Sequence, residues 1–137
     1  MDSAKKELRS KIIEKYFFEI SSWERSLIFL SEEIRFLNRL LSIKIYQPSI
    51  PDLKVRLQGF SRKLQDLENE EKIFEIEISK HKTDFLNGLE DNDELKNYVS
   101  KNRHIQLRKN INSLLRKNSL FKLEVFSFAG NLLKKSI

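Results

Sequence analysis

The sequence has no cysteine and few of the residues that interrupt helices. Without cysteine, the 137-residue chain has no disulfide, no thiolate nucleophile and no cysteine-based zinc or iron–sulfur site. This composition fits a reducing compartment, so we expect a cytoplasmic protein. Three glycines and two prolines, alongside 34% charged residues, favour long helices over sheet or disorder.

Long apolar runs are also missing. A run such as Leu27–Leu30 lasts about one helical turn, whereas a helix that spans a bilayer needs ~20 apolar residues. The first residues of the sequence carry charges and no apolar segment, so we expect no signal peptide.

The sequence lacks the motifs of common catalytic sites. It has neither a Gly-x-Ser-x-Gly elbow nor the Gly-Lys-Ser/Thr sequence that holds a phosphate. We therefore expect that the protein is not an enzyme, that it needs no cofactor, and that it has no small-molecule substrate.

Two interruptions divide the sequence into three segments. Pro48 and Pro51 form the first, since proline disfavours helical geometry in the residue before it. The second lies near residue 90, where Gly88 suits the left-handed end of a helix and a capping-box pattern begins at Asp91. We expect a single domain, residues 1–137, with helices over roughly 4–45, 52–87 and 92–136.

Apolar residues in the first segment recur every seven residues in two interleaved series. One series is Ile13, Ile20, Leu27, Ile34 and Leu41, and the other is Tyr16, Trp23, Leu30 and Leu37. This pattern is typical of a helix that lays one seam along neighbouring helices.

The other two segments are also helical in pattern. The second continues the heptad with polar interruptions at Glu71 and His81. One of its series is Leu57, Leu64, Ile78 and Phe85, and the other is Leu53, Phe60, Leu67 and Phe74. The third is less regular. It has one stripe of Leu95, Tyr98, Val99 and Ile105, and a second stripe, shifted in phase, of Leu107, Ile111, Leu114, Phe121, Val125, Phe128 and Leu132. Its apolar face is also wider, because it includes Leu115, Leu120, Leu123, Phe126 and Leu133. We therefore expect the end of the third helix to face more than one neighbour.

Three helices of similar length with short connections pack most simply as an antiparallel up-down-up bundle. The predicted fold class is all-α, with coiled-coil-like heptad packing. A helical hairpin whose third helix completes its packing in a dimer is the alternative. In outline, with Trp23 on the first helix, the chain resembles a spectrin-type three-helix repeat with longer helices, and this resemblance implies the architecture alone.

Metal binding has one candidate group, Glu77, His81 and Asp84, which share a helix face. Neither histidine follows a glutamate at the Glu-x-x-His spacing of di-iron bundles, and the group would need ligands from another helix. A seam histidine that hydrogen-bonds to a neighbouring helix is the favoured interpretation. We predict no metal site.

Charge is concentrated in the third segment, which has ten basic residues and a single acid from Leu95 onward. One interpretation is an anion-binding surface for nucleic acid or an anionic membrane, formed by Arg103, Arg108, Lys109, Arg116 and Lys117. The other is that these residues pair with the acidic second helix.

Together, these patterns predict a non-enzymatic helical interaction or scaffold protein. We expect it to self-associate as a homodimer through apolar helix faces, or to bind a helical protein partner. Binding of nucleic acid or an anionic membrane is the second hypothesis. The candidate interaction residues are Trp23, Leu30, Leu37, Phe121, Phe128 and Leu132.

Overall fold

The computed structural model describes the backbone of residues 2–42, 52–91 and 94–136, and the side chains of residues 3–42, 52–90 and 100–131. Three helices account for these ranges: α1 (Asp2–Ser42), α2 (Leu53–Asp91) and α3 (Glu94–Ser136). The described ranges contain no strand. The predicted all-α fold class is therefore confirmed.

Helix α2 is longer than the sequence predicted. We expected it to end near residue 87 at a left-handed Gly88, but it continues to Asp91, and no described glycine has a positive φ. Gly88 is buried at the heptad position that follows Phe85, so the helix keeps facing the core there. That packing outweighs the cost of about 1 kcal/mol that glycine carries within a helix. The prolines and the Asp91 side chain lie outside the described residues.

Asp52 directs the chain into α2. Its φ of 63° lies in the left-handed region, which aspartate tolerates better than most residues. The Asp52 carbonyl oxygen accepts a hydrogen bond of 3.0 Å from the backbone N–H of Arg56, which begins the helical pattern.

The heptad predicted for α1 and α2 is confirmed by burial. Of the predicted seam residues, Ile13, Leu57 and Phe74 are half-buried, and all the others in these two helices are buried, including Glu71 and His81. Burying one leucine or isoleucine side chain stabilises a fold by roughly 1.5–3 kcal/mol. These rows of side chains hold the bundle together.

Helix α3 is more regular than predicted. Its buried residues follow one unbroken heptad that runs through Ser100, His104, Leu107, Ile111, Leu114, Asn118, Phe121, Val125 and Phe128. Of the stripe predicted from Leu95, Tyr98, Val99 and Ile105, only the Ile105 side chain is described, and it is half-buried. Polar residues occupy three of these positions, so the spacing of apolar residues alone does not reveal the heptad.

The chain divides into two compact units, each with a segment of every helix. Unit 1 comprises Met1–Ile28 and Phe74–Ile111, and unit 2 comprises Phe29–Ile73 and Asn112–Ile137. In unit 1, Phe17 contacts Phe85 and Glu24 pairs with Lys82, so α1 and α2 are antiparallel.

In unit 2, Phe60 contacts Phe128 and Glu70 pairs with Lys117, so α2 and α3 are antiparallel. The three helices thus form the predicted up-down-up bundle. No helix has a described stretch that is long and apolar enough to cross a membrane.

Candidate functional site

Unit 1 contains a cluster of buried and half-buried polar side chains, which we call the polar centre: Glu19 on α1, His81 on α2, and His104 and Arg108 on α3. Both histidines are 0% exposed, because each occupies a core-facing heptad position. Nε2 of His81 lies 2.9 Å from Nδ1 of His104. Nε2 of His104 lies 3.4 Å from Oε1 of Glu19, and that carboxylate accepts hydrogen bonds of 2.5 and 2.7 Å from Arg108.

The Glu19 carboxylate, at one end of this series of hydrogen bonds, determines which imidazole nitrogens carry protons. A carboxylate only accepts, so Nε2 of neutral His104 carries the proton that faces Glu19. Nδ1 of His104 is then the acceptor for the Nε2–H of His81. Nδ1 of His81 carries a lone pair without a hydrogen-bond partner among the described residues.

Aromatic rings from α1 enclose His104. The Tyr16 ring is stacked on the imidazole, with centroids 3.9 Å apart and planes at 12°. The Trp23 ring lies 4.6 Å from it, centroid to centroid. These contacts seal the imidazole from water and fix its orientation.

The environment keeps both histidines neutral near pH 7. Burial lowers the pKa of His81 to about 4, and the nearby His104 and Arg103 act in the same direction. Burial also lowers the pKa of His104, against the opposing effect of Glu19. The hydrogen bond from Arg108 lowers the pKa of the Glu19 carboxyl, so Glu19 stays ionised.

The polar centre does not have the form of a ligand-binding or metal site. Neither imidazole reaches the surface, so neither can contact a substrate directly. Among the described residues, no group of three or more His, Asp or Glu side chains is arranged to hold a metal ion. Its geometry instead ties α1, α2 and α3 together, as the seam-histidine interpretation of His81 expected.

Unit 2 contains a second cluster of the same design. Asn118 donates a hydrogen bond of 2.6 Å from Nδ2 to Glu33, and Lys122 donates one of 2.8 Å to the same carboxylate. Each of these three residues follows its counterpart in unit 1 (Glu19, His104 and Arg108) by two heptads. In each unit, a glutamate of α1 therefore binds a core polar residue of α3 and a cation one turn further on.

The predicted interaction residues lie in the core. Trp23, Leu30, Leu37, Phe121 and Phe128 are all buried in the bundle, so they pack the protomer and are not available to a partner. The side chain of Leu132 lies outside the described residues. Apolar periodicity marks core positions, and it cannot by itself identify an outer binding face.

Other large apolar residues are on the surface. Phe29 and Phe36 of α1 are 61% and 53% exposed, and Leu123 and Phe126 of α3 are 64% and 41% exposed. The rings of Phe36 and Phe126 meet edge to face, with centroids 6.4 Å apart. We call these four residues of unit 2 the aromatic strip.

Three of the five predicted anion-binding residues have acidic partners within the bundle. Arg103 pairs with Asp84 at 3.4 Å and Lys117 with Glu70 at 3.1 Å. Arg108 belongs to the polar centre. Lys109 and Arg116 are exposed and have no ion-pair partner among the described residues.

An open groove of about 500 Å³ lies in unit 1 beside the polar centre. Sequence reasoning missed it, and it missed the role of His104. The heptad spacing could have identified His104 and Asn118 as core positions. No sequence pattern predicts the groove, because its residues come from three distant stretches of the chain: Lys5, Leu8, Arg9, Ile12, Ile13, Lys15, Tyr16, Phe85, Leu89, Lys101, Ile105 and Arg108.

No protein-family model, curated protein or solved structure shows significant similarity to this chain.

Proposed function

We propose that this protein is a non-enzymatic helical interaction protein that self-associates through the aromatic strip. The observation that carries the proposal is the exposure of Phe29 (61%) and Phe36 (53%) on α1, together with the contact between the rings of Phe36 and Phe126. Adjacent exposed aromatic rings of this size are a common feature of protein interfaces. Cytoplasmic location, proposed from the cysteine-free composition, accompanies this function.

The charges around the strip favour a second copy as the partner. Glu32 precedes Phe36 by four residues and Arg39 follows it by three. Both side chains are exposed, and neither has an ion-pair partner among the described residues. A twofold axis near Phe36 that sets two α1 helices antiparallel brings Glu32 of each copy to Arg39 of the other. Such an isologous interface needs this self-complementarity.

Charge reversal tests this arrangement. Sedimentation velocity over a range of concentrations measures the dimer fraction of the parent, of Glu32→Arg, of Arg39→Glu and of the double variant. Each single reversal places like charges opposite each other in the dimer and lowers the dimer fraction. The double variant restores the opposite-charge pairs with their signs exchanged, so it recovers dimerisation.

An apolar variant and its control complete the test. Phe36→Ser removes a ring from the strip and lowers the dimer fraction, whereas Val55→Ser, at a 67%-exposed position on α2, leaves it unchanged. Both positions are on the surface, so both variants keep the helical circular dichroism of the parent. A parent that stays monomeric at high concentration contradicts the proposal, and so does a dimer that these variants leave unchanged. A helical protein partner would then be the remaining occupant to test.

Binding of nucleic acid or an anionic membrane is the less supported alternative, because Arg103, Arg108 and Lys117 are committed to ion pairs. If the protein binds such an anionic partner, its affinity should fall steeply as the salt concentration rises, because binding releases counterions. Titration of a short duplex or of anionic vesicles at two salt concentrations checks it, with Lys109→Glu/Arg116→Glu as the variant.

A further inference from the structure

The groove in unit 1 combines an apolar floor with a rim of one charge sign. The floor is formed by Leu8, Ile12 and Ile13 of α1, with Phe85 and Leu89 of α2 and Ile105 of α3. The rim carries five basic residues, and no acidic side chain is among the described residues that line the groove. We propose that this groove binds a single-chain amphipathic carboxylate, that is, a long-chain fatty acid.

Three of the five basic residues that line the groove are available for a ligand. Lys5, Lys15 and Lys101 have no ion-pair partner among the described residues, and all three are exposed. Arg108 is different, since its guanidinium already pairs with Glu19. Three unpaired lysines that line one groove raise the local concentration of anions, and they can pair with a carboxylate that enters.

Unit 2 supplies a comparison within the same chain. A groove of about 260 Å³ there is lined by Lys63, Asp66, Leu67, Lys117, Leu120, Phe121 and Glu124. Its two lysines face two acids, and both lysines form ion pairs, with Glu124 at 3.5 Å and Glu70 at 3.1 Å. Its charges are therefore balanced within the protein. The unit 1 groove is larger, and three of its lysines have no acidic partner among the described residues, so an anion from outside can pair with them.

The shape of the groove favours a chain over a compact anion. The α1 residues that line it extend from Lys5 to Tyr16, about 17 Å of helix at 1.5 Å per residue. A volume of about 500 Å³ lies within the ~300–1,000 Å³ of small-molecule sites. A phosphate or a short carboxylate would leave the isoleucines and leucines of the floor in water. A flexible hydrocarbon chain covers them, while its carboxylate reaches the lysines.

Isothermal titration calorimetry of the full chain with dodecanoate, below its micelle concentration, tests the proposal. Three other ligands separate the contributions of head and chain: acetate has the head without the chain, while dodecyltrimethylammonium and dodecyl maltoside have the chain with a cationic or neutral head. We expect saturable 1:1 binding of dodecanoate and no measurable binding of the other three. Equal binding of all the twelve-carbon ligands would overturn the carboxylate assignment.

Matched variants locate the site. Lys101→Glu and Lys15→Glu should each weaken dodecanoate binding about tenfold or more, by replacing attraction with repulsion. Lys80→Glu makes the same charge change at an exposed α2 position of unit 1 outside the groove, and it should change the affinity by less than about twofold. Ile12→Ser should weaken binding, whereas Ile76→Ser, at an exposed α2 position outside the groove, should not.

The outcomes decide the proposal independently of self-association. If dodecanoate fails to bind, or if Lys80→Glu and Lys101→Glu have equal effects, the groove is not a fatty-acid site. Binding of dodecanoate by the Phe36→Ser variant with parent affinity would show that the site does not depend on the aromatic strip.

Discussion

Nε2 of His81 lies 2.9 Å from Nδ1 of His104, and both imidazoles are completely buried in the core. Two histidines from different helices thus share one hydrogen bond away from water. They are the only histidines in the sequence. Any change in stability that comes from histidine titration must therefore originate at this pair.

The first prediction concerns acid. In the unfolded chain both histidines take up a proton near pH 6.5, whereas the folded chain keeps their pKa values lower, that of His81 at about 4. Below pH 6.5 the unfolded state therefore binds more protons, so the free energy of unfolding falls as the pH falls towards 4. For His81 alone, this loss is on the order of 3 kcal/mol by pH 4. Urea unfolding at a series of pH values measures it.

The controls for this prediction are leucine variants. His81→Leu should reduce the slope of stability against pH between 6.5 and 5, and the double variant with His104→Leu should remove it. The pKa of Glu19 is also lowered in the fold, so its contribution is complete above 4.5 and is lost only at lower pH. A parent whose stability is constant from pH 7 to 5 would contradict the assignment of neutral, buried imidazoles.

The second prediction concerns Glu19, which joins His104 to Arg108. Glu19→Gln replaces charge-assisted hydrogen bonds with neutral ones and leaves the guanidinium without its ionic partner, so we expect a loss of about 1.5–3 kcal/mol in the free energy of unfolding. Glu14→Gln is the matched control, because Glu14 is exposed on the same helix. Equal losses for the two variants in chemical denaturation would mean that the pair adds no specific stability.

The sequence predicted the helices well, because apolar spacing and burial have the same physical origin. A side chain such as Leu64 is buried because it lies at one of the two heptad positions that face the core. The end of α2 was predicted less well. Gly88 was expected to end the helix, but it is buried three residues after the buried Phe85, and the helix continues to Asp91.

The polar centre and the aromatic strip were beyond such reasoning for different reasons. Periodicity placed His81 at the seam. Which residue faces His81 depends on how α2 and α3 are aligned, and the hydrophobic pattern does not distinguish His104 from the other polar residues of α3. For the strip, spacing was no guide. Trp23 and Leu30 recur at an interval of seven residues and lie in the core, whereas Phe29 and Phe36 recur at the same interval and are exposed.

The third prediction concerns Asn118, the core residue of the unit 2 cluster. Its Nδ2 donates to Glu33, but its Oδ1 has no hydrogen-bond partner among the described residues. A buried amide oxygen without a partner costs about 1–3 kcal/mol. Asn118→Leu loses the hydrogen bond to Glu33, but it removes that cost and adds apolar burial, while Lys122 continues to pair with Glu33. We therefore expect a higher melting temperature for Asn118→Leu than for the parent, and a lower one for Asn118→Ala. A fall in both variants would show that the amide itself stabilises the fold.

The fourth prediction separates core from surface on α2. Leu64 is 0% exposed in unit 2, whereas Val55, nine residues earlier on the same helix, is 67% exposed. Leu64→Ala opens a cavity among close-packed neighbours and should lower the free energy of unfolding by about 2–5 kcal/mol. Val55→Ala removes methyl groups that already contact water, and alanine is the better helix former, so its effect should stay within about 0.5 kcal/mol. Guanidinium denaturation followed by circular dichroism measures both. If the two losses were equal, Leu64 could not lie at the centre of the packing, and the heptad on which α2 depends would have to be shifted to another face.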